Sequence, residues 1–299
     1  MDNTIQVRCY SLLSPILPWL IYFALPSKEC RSKIPHLFTD EIPIVQDKNF
    51  DKLSQKFAKN IYGTTKGEIR AAVLWRDLAP QIAALGNKSL RILDAGGGFG
   101  FLSQKLAAMG HEVVLCDISE QMLAQAKQQI DAANTPLNIT LVHSPIQALT
   151  TEQHGQFDVV LCHAVAEWLI DAQTTLKGLL ALLKPQGLFS LMFYNKEAMR
   201  FHSLVSGNFD YVMRDMKVKK KVGLTPTHPL YIEDVRLWFN QWQLTMVCQS
   251  GVRVINDYLK HHLPPNFDTQ QLIEMELLYS QREPYLSLGR YVHFLAKKA

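Results

Sequence analysis

The eight residues Leu93 to Gly100, LDAGGGFG, constrain the fold more than any other stretch of the chain. A short apolar segment ends in the acidic Asp94, and four of the next six residues are glycine, with helical periodicity starting at Phe99. Glycine reaches backbone angles closed to other residues and lets a ligand approach bare main chain at a helix start. A dinucleotide fingerprint begun at Gly96 would need glycine at position 101, where Phe101 stands, and a P-loop would need a Gly-Lys-Ser or Gly-Lys-Thr ending that the sequence lacks. What remains is acidic-x-G-x-G-x-G, carried by Asp94, Gly96, Gly98 and Gly100, with Asp117 ending the next apolar run. Taken alone, these glycines also fit a tight strand-to-helix turn that binds nothing.

The surrounding periodicity supplies the context. Residues Asn49 to Tyr62 and Lys66 to Leu85 carry apolar residues at helical spacing. Strands are expected at Arg91–Asp94, Glu112–Asp117, Ile139–His143, Asp158–Cys162 and Leu188–Phe193. Helices between them are expected at Phe99–Met109, at Glu120–Ala133 behind the N-cap Ser119, and at Thr174–Leu183. Strand and helix alternate, which predicts a mainly parallel sheet covered on both faces, with ligands bound at the carboxyl ends of its strands.

The chain has 299 residues, 47% hydrophobic and 19% charged, with a net charge of +4. It can bury a full core, and it carries neither a disordered composition nor a strongly basic arm. The five cysteines lack paired spacing, and Cys116 and Cys162 fall inside apolar strands, so they read as reduced core thiols of a cytoplasmic protein without a disulfide framework or a metal site. Residues Tyr10 to Pro26 form an apolar run behind Arg8 similar to a secretory signal. Pro15 and Pro18 interrupt it, and it is too short to span a bilayer as a helix. The expectation is that residues 1–45 are an extension, disordered or outside the native protein, with a signal peptide as the alternative.

In order and spacing, LDAGGGFG, CDISEQMLAQA, FDVVLCHAVAEWL and LLKPQGLFSLMFYN resemble the motifs of class I S-adenosylmethionine-dependent methyltransferases. The resemblance implies a Rossmann-like, mainly parallel seven-stranded α/β sheet over residues 46–299, with a helical cap at 46–88 and a substrate-side insertion at 196–240. It implies that Asp94 opens the glycine loop, that Gly96 and Gly97 pass under the methionine end of S-adenosylmethionine, and that Asp117 accepts from both ribose hydroxyls. It further implies that Ile146 and Gln147 frame the adenine, that His163 lies beside the cofactor, and that Arg70 meets the methionine carboxylate. Gln147 stands where many members have Asp, and Gln186 replaces a glycine of the usual Lys-Pro-Gly-Gly turn. An amide still accepts a hydrogen bond from the adenine amino group.

The segments FAKNIYGTTKGEIR, FYNKEAMRFHSLVSGNFDYV, GVRVINDYL and EPYLSLGRYVHFLAKK extend the resemblance to the bacterial enzymes that esterify 5-carboxymethoxyuridine at the wobble position of tRNA. The partner so implied is a tRNA anticodon stem-loop, with no membrane and no metal. A carboxylic acid is ionised at neutral pH, so such a nucleophile needs no general base. Rate then comes from alignment and exclusion of water, with positioning worth up to roughly 7–11 kcal/mol. The site needs a cation or phenol to hold one carboxylate oxygen; Arg253, Tyr62 and Tyr194 are the candidates. Each also has a plain structural reading, as a paired cation or a core ring.

The basic run around MRDMKVKKKVG supplies Arg214, Lys217, Lys219, Lys220 and Lys221 beside Phe209 and Tyr211. Such runs are usually solvated loops, but the resemblance implies that this insertion after the fifth strand faces the substrate side, where phosphates would lie. Arg290 and His293 on the last strand have no assigned role. A methyltransferase of a small carboxylic acid or another small molecule remains the alternative, and a non-catalytic scaffold is a third reading.

Overall fold

A computed structural model describes residues 63–86, 88–217, 226–259 and 267–299. The 1–45 extension, the helix expected over 49–62, Tyr62 itself and Lys219, Lys220 and Lys221 lie outside the described residues. No helix among the described residues is long and apolar enough to cross a membrane.

The first described helix, α1 (Thr65–Ala84), is capped by Thr64, whose side chain accepts from the Gly67 N–H, with Glu68 favourably placed in the first turn. Its spacing buries Ile69, Val73, Leu74, Leu78 and Ile82 along one face. Strand β1 (Arg91–Ala95) leads through the glycine loop to α2 (Phe101–Ala108), then β2 (Glu112–Asp117) and α3 (Glu120–Asp131). Ser119 caps α3 as expected, accepting from the Met122 N–H. Next come β3 (Ile139–His143), β4 (Phe157–His163), α4 (Ala172–Leu179) and β5 (Leu183–Tyr194). The chain continues with α5 (Lys196–Val205), α6 (Phe209–Met213), α7 (Ile232–Gln241), β6 (Leu244–Val252), α8 (Thr269–Tyr279) and β7 (Tyr291–Lys298).

The seven strands form one sheet in the order β3-β2-β1-β4-β5-β7-β6, with β7 antiparallel to both its neighbours. The remaining pairs are parallel, and the crossovers change direction between β1 and β4, where a crevice opens at the carboxyl ends of the strands. Alternate residues feed two cores. Leu93, Phe189 and Phe294 join α4 and α7 on one face, while Ile92, Leu188 and Leu295 join α1 and α8 on the other. A fully buried leucine such as Leu78 contributes about 1.5–3 kcal/mol by burial, so Leu78→Ala should cost at least that and leave a cavity between α1 and the sheet.

The antiparallel placing of β7 matters for function. Tyr291 at its start pairs with Tyr194 at the end of β5 and with Val252 at the end of β6. Residues 194, 253, 290 and 291 therefore gather at the edge that carries Asp94, Asp117 and His163. The last strand does not alternate in burial: Val292 to Ala296 are buried in succession, because β7 is an inner strand covered on both faces.

Candidate active site

At the β1–β4 crevice one cavity is lined by all eight residues expected at the cofactor: Arg70, Asp94, Gly96, Gly97, Asp117, Ile146, Gln147 and His163. The loop explains how. The N–H groups of Gly96 and Gly97 both donate to the Cys116 carbonyl, at 2.7 and 3.2 Å, folding the loop across the end of β2. A side chain at Gly96 would strike Val165 Cγ2 at 2.4 Å, and one at Gly97 would strike Leu115 Cδ1 at 2.4 Å, so both must be glycine for the turn to close. Gly98, at φ +58°, is different: it lines the cavity, a Cβ there would meet nothing within 4 Å, and its backbone conformation is what favours glycine.

Asp117 ends β2 with its carboxylate pinned to the wall. Oδ2 accepts from the Gly98 N–H at 2.9 Å and Oδ1 from the Ser119 N–H at 2.8 Å. Asp94 sits deeper, accepting from Ser103 Oγ at 2.7 Å, and burial, with Asp117 nearby, pushes its carboxyl up to about 6. Ile146 and Gln147 lie in a single 3₁₀ turn after β3. The first turns of α1 bring Gly67, Glu68 and Arg70 over the cavity.

His163 is the last residue of β4, with its Nε2 2.8 Å from Ser190 Oγ. Desolvation by burial, with the Arg70 cation adding to it, holds its imidazole well below the ordinary histidine value, so the ring is neutral at pH 7.

The carboxylate-binding candidates divide. Tyr194 and Arg253 reach the same edge but do not line the cavity. Tyr194 packs edge-on against Tyr291, centroids 5.1 Å apart, and the Tyr291 ring centroid is 5.4 Å from the guanidinium carbon of Arg70 and 5.5 Å from that of Arg253. Arg253 does not offer a free fork. Its Nε and Nη2 each donate to Asp257 at 2.6 Å, and it holds a left-handed φ of +62°, a conformation that costs about 1–3 kcal/mol in a non-glycine residue and persists where surrounding structure imposes it. The expectation that Arg253 holds a substrate carboxylate is thereby weakened, because the geometry that grips a carboxylate is already engaged.

Two other groups at this edge have no role assigned from sequence: Arg290 is named without one, and Glu167 is not singled out. Arg290 lies over the Tyr194 ring at 5.4 Å, with its Nη1 buried and without a hydrogen-bond partner among the described residues. Glu167, in the 3₁₀ turn between the cavity residues Val165 and Trp168, is fully buried, and both its carboxyl oxygens lack partners among the described residues. Burial pushes its carboxyl up to about 7. An acidic residue inside the apolar run HAVAEWL was the sequence signal for it.

Of the basic run, Arg214 and Lys217 fall within the described residues, and both are exposed just after α6. Arg214 Nε donates to the Asp210 carbonyl, and beside it Phe209 and Met213 are also exposed.

Residues 93–191 match the family described as a methyltransferase domain. Over 254 residues the chain is 42% identical to the tRNA 5-carboxymethoxyuridine methyltransferase of Escherichia coli strain K12, covering 85% of this chain and 97% of that protein. It is 30% identical over 132 residues to a ubiquinone biosynthesis O-methyltransferase of Psychrobacter cryohalolentis, covering 44% and 51% of the two chains. In fold it is similar to the magnesium protoporphyrin IX methyltransferase of Synechocystis solved with bound SAH, with a TM-score of 0.54 at 17% identity, covering 84% of this chain and 96% of that one.

Proposed function

The chain belongs to the tRNA 5-carboxymethoxyuridine methyltransferase family of class I methyltransferases, and on that premise we propose that it methylates the carboxylate of 5-carboxymethoxyuridine at wobble position 34 of tRNA, forming 5-methoxycarbonylmethoxyuridine. The observation that carries this reading is the extent of the likeness. The 42% identity spans 97% of the relative, whereas the identity to the ubiquinone enzyme covers half of that protein.

S-adenosylmethionine supplies the electrophilic methyl group. The residues present fit such a molecule: Gly96, Gly97 and Gly98 line the cavity with bare backbone, beside the pinned carboxylate of Asp117. Asp117 would take the ribose hydroxyls, Ile146 and Gln147 the adenine, and Arg70 the methionine carboxylate, with Asp94 bracing the glycine loop and His163 closing the inner wall.

The substrate carboxylate is the nucleophile and is ionised at working pH, so the protein need only hold it in line and exclude water. Arg290, whose guanidinium lies against the Tyr194 ring and is not held by a bidentate pair, takes one carboxylate oxygen; it lies outside the cavity lining with Nη1 buried, so it must turn toward the substrate, while Arg253 with Asp257 fixes the arrangement. Arg214 and Lys217, with Lys219, Lys220 and Lys221, meet the phosphates of the anticodon stem-loop.

The test is nucleoside mass spectrometry of tRNA from cells lacking the gene, before and after incubation with purified protein. Loss of the methyl ester in the mutant and its restoration in vitro is the expected result. An unchanged nucleoside profile, with no ester formed in vitro, would return the chain to the small-acid methyltransferases.

A further inference from the structure

A buried hydrogen-bond chain runs from α1 through the sheet to the cofactor cavity. Asp77 Oδ2 lies 2.8 Å from His293 Nδ1. His293 Nε2 lies 2.8 Å from Ser190 Oγ, which in turn lies 2.8 Å from His163 Nε2. One residue comes from each of α1, β7, β5 and β4, and the strands are consecutive neighbours in the sheet. Ser190 and His293 are fully buried and Asp77 nearly so, and nothing in the methyl-transfer chemistry calls for them. Three polar side chains in an apolar core carry a desolvation cost unless each is satisfied, so the direction of every bond is constrained.

The protons can be counted. Burial favours a neutral Asp77, but the hydrogen bond from His293 and the charge of Arg76 outweigh it and hold the carboxyl below the ordinary aspartate value, so it is ionised and can only accept. His293 Nδ1 must then carry a proton. Arg76, itself partly exposed, already balances the carboxylate, its Nε and Nη2 donating to Asp77 Oδ1 at 2.9 and 2.8 Å, and a further cation at the fully buried His293 would stand uncompensated. His293 is therefore neutral, and its Nε2 accepts the single hydroxyl proton of Ser190. The Ser190 oxygen has no proton left to give, so it accepts from His163, whose neutral ring has one N–H. That proton sits on Nε2, and Nδ1 carries a lone pair.

We propose that Asp77, His293 and Ser190 are positioning residues that lock His163 in its Nε2–H tautomer, so that Nδ1 accepts a hydrogen bond from the ammonium group of the cofactor's methionine end. The inference rests on the cofactor reading given above. It assigns His163 to ligand orientation: its one N–H is engaged inside the protein, and its free nitrogen suits a cationic donor beside the Arg70 guanidinium that would take the adjoining carboxylate.

Long-range proton–nitrogen spectra of the histidine rings test this on the ligand-free protein at pH 7, with His163→Gln used to assign the signals. The expected result is a protonated Nε2 and an unprotonated Nδ1 for His163. Ser190→Ala removes the acceptor; the ring should then show both tautomers, and the Kd for S-adenosylhomocysteine should rise five- to tenfold. His293→Gln keeps a donor for Asp77 and an acceptor for Ser190, and should preserve the tautomer. An analogue of S-adenosylhomocysteine lacking the amino group should bind equally to wild type and Ser190→Ala. An Nδ1–H or doubly protonated ring in the wild type would overturn the proposal, as would a folded Ser190→Ala protein with an unchanged spectrum and Kd. If the wild type shows the expected tautomer but does not bind S-adenosylhomocysteine, the relay stands and the cofactor reading falls.

Discussion

The Asp257 carboxylate accepts from both Nε and Nη2 of Arg253 at 2.6 Å, while its Oδ1 stands 3.5 Å from Nε of Arg290. One buried anion thus anchors two guanidinium groups, and they are not equivalent. Arg253 is held by a bidentate fork; Arg290 touches the same carboxylate weakly and keeps Nη1 without a partner. Arg253→Ala should therefore act mainly on the fold, lowering stability by about 3 kcal/mol, since it strands part of a buried charge. Arg290→Lys should leave the melting temperature within a few degrees but raise KM for the tRNA at least tenfold, because a point charge cannot reproduce the fork. Thermal melts and steady-state kinetics on the two variants separate the roles; equal loss of stability in both would remove the distinction.

Asp117 is pinned by two backbone N–H groups before any ligand arrives. Its carboxylate is pre-oriented, and charge-assisted bonds to a ribose diol are each worth roughly 1.5–3 kcal/mol. Titration calorimetry of Asp117→Ala should show S-adenosylmethionine affinity reduced at least tenfold in a folded protein. Unchanged affinity, or a preference for a dinucleotide, would remove the assignment.

Glu167 and Asp94 both have raised carboxyl values, about 7 and about 6, burial being the leading cause. The folded protein therefore binds their protons more tightly than the unfolded chain does. The stability they contribute is complete below the unfolded value near pH 4 and is lost as pH rises through 6 and 7, by up to about 1.4 kcal/mol per pH unit for each group while it titrates. Chemical denaturation of the ligand-free protein from pH 5 to pH 8 should show this decline, and Glu167→Gln should remove the part nearest pH 7. A stability curve that rises across this range would contradict the assignment.

The basic run beyond α6 is testable by salt. Replacing Arg214 and Lys217 by Ala should weaken tRNA binding and reduce the slope of log affinity against log salt by roughly 1–2, since each lost phosphate contact removes about 0.7–0.9. Cofactor affinity should not move. An unaltered salt slope would leave these residues as a solvated loop.

The fold and half of the site were legible because they are local. The Asp94 loop, the Asp117 strand end and the Ser119 cap each follow from a few consecutive residues whose turn and cap chemistry is fixed by type. Asp77, Ser190 and His293 could not be joined from the sequence, being 113 and 103 positions apart along the chain. Only the antiparallel insertion of β7 between β5 and β6 brings them together. Arg253 shows the opposite limit: the right residue type reaches the right edge, but its partner Asp257, one turn further on, engages the fork through a geometry that periodicity does not reveal. Glu167 was hidden by its neighbours, because an apolar run reads as core whether or not one acid interrupts it.

The chemistry has its own signature. A carboxylate with an unperturbed value near 4 is fully ionised from pH 6 to pH 8, and His163, held neutral by desolvation, does not gain or lose a proton in that range. Single-turnover methyl transfer should then be nearly flat across it. A hydroxyl, ring-nitrogen or carbon nucleophile that relied on a histidine base would show a rise with pH instead. The product must also be an ester, which mild alkali hydrolyses to the acid and methanol, whereas a methyl group on oxygen as an ether, on ring nitrogen or on carbon survives. Transfer of a labelled methyl group followed by alkaline release of labelled methanol from the tRNA is the expected outcome. Label that stays on the nucleoside after that treatment would exclude the carboxylate as the acceptor.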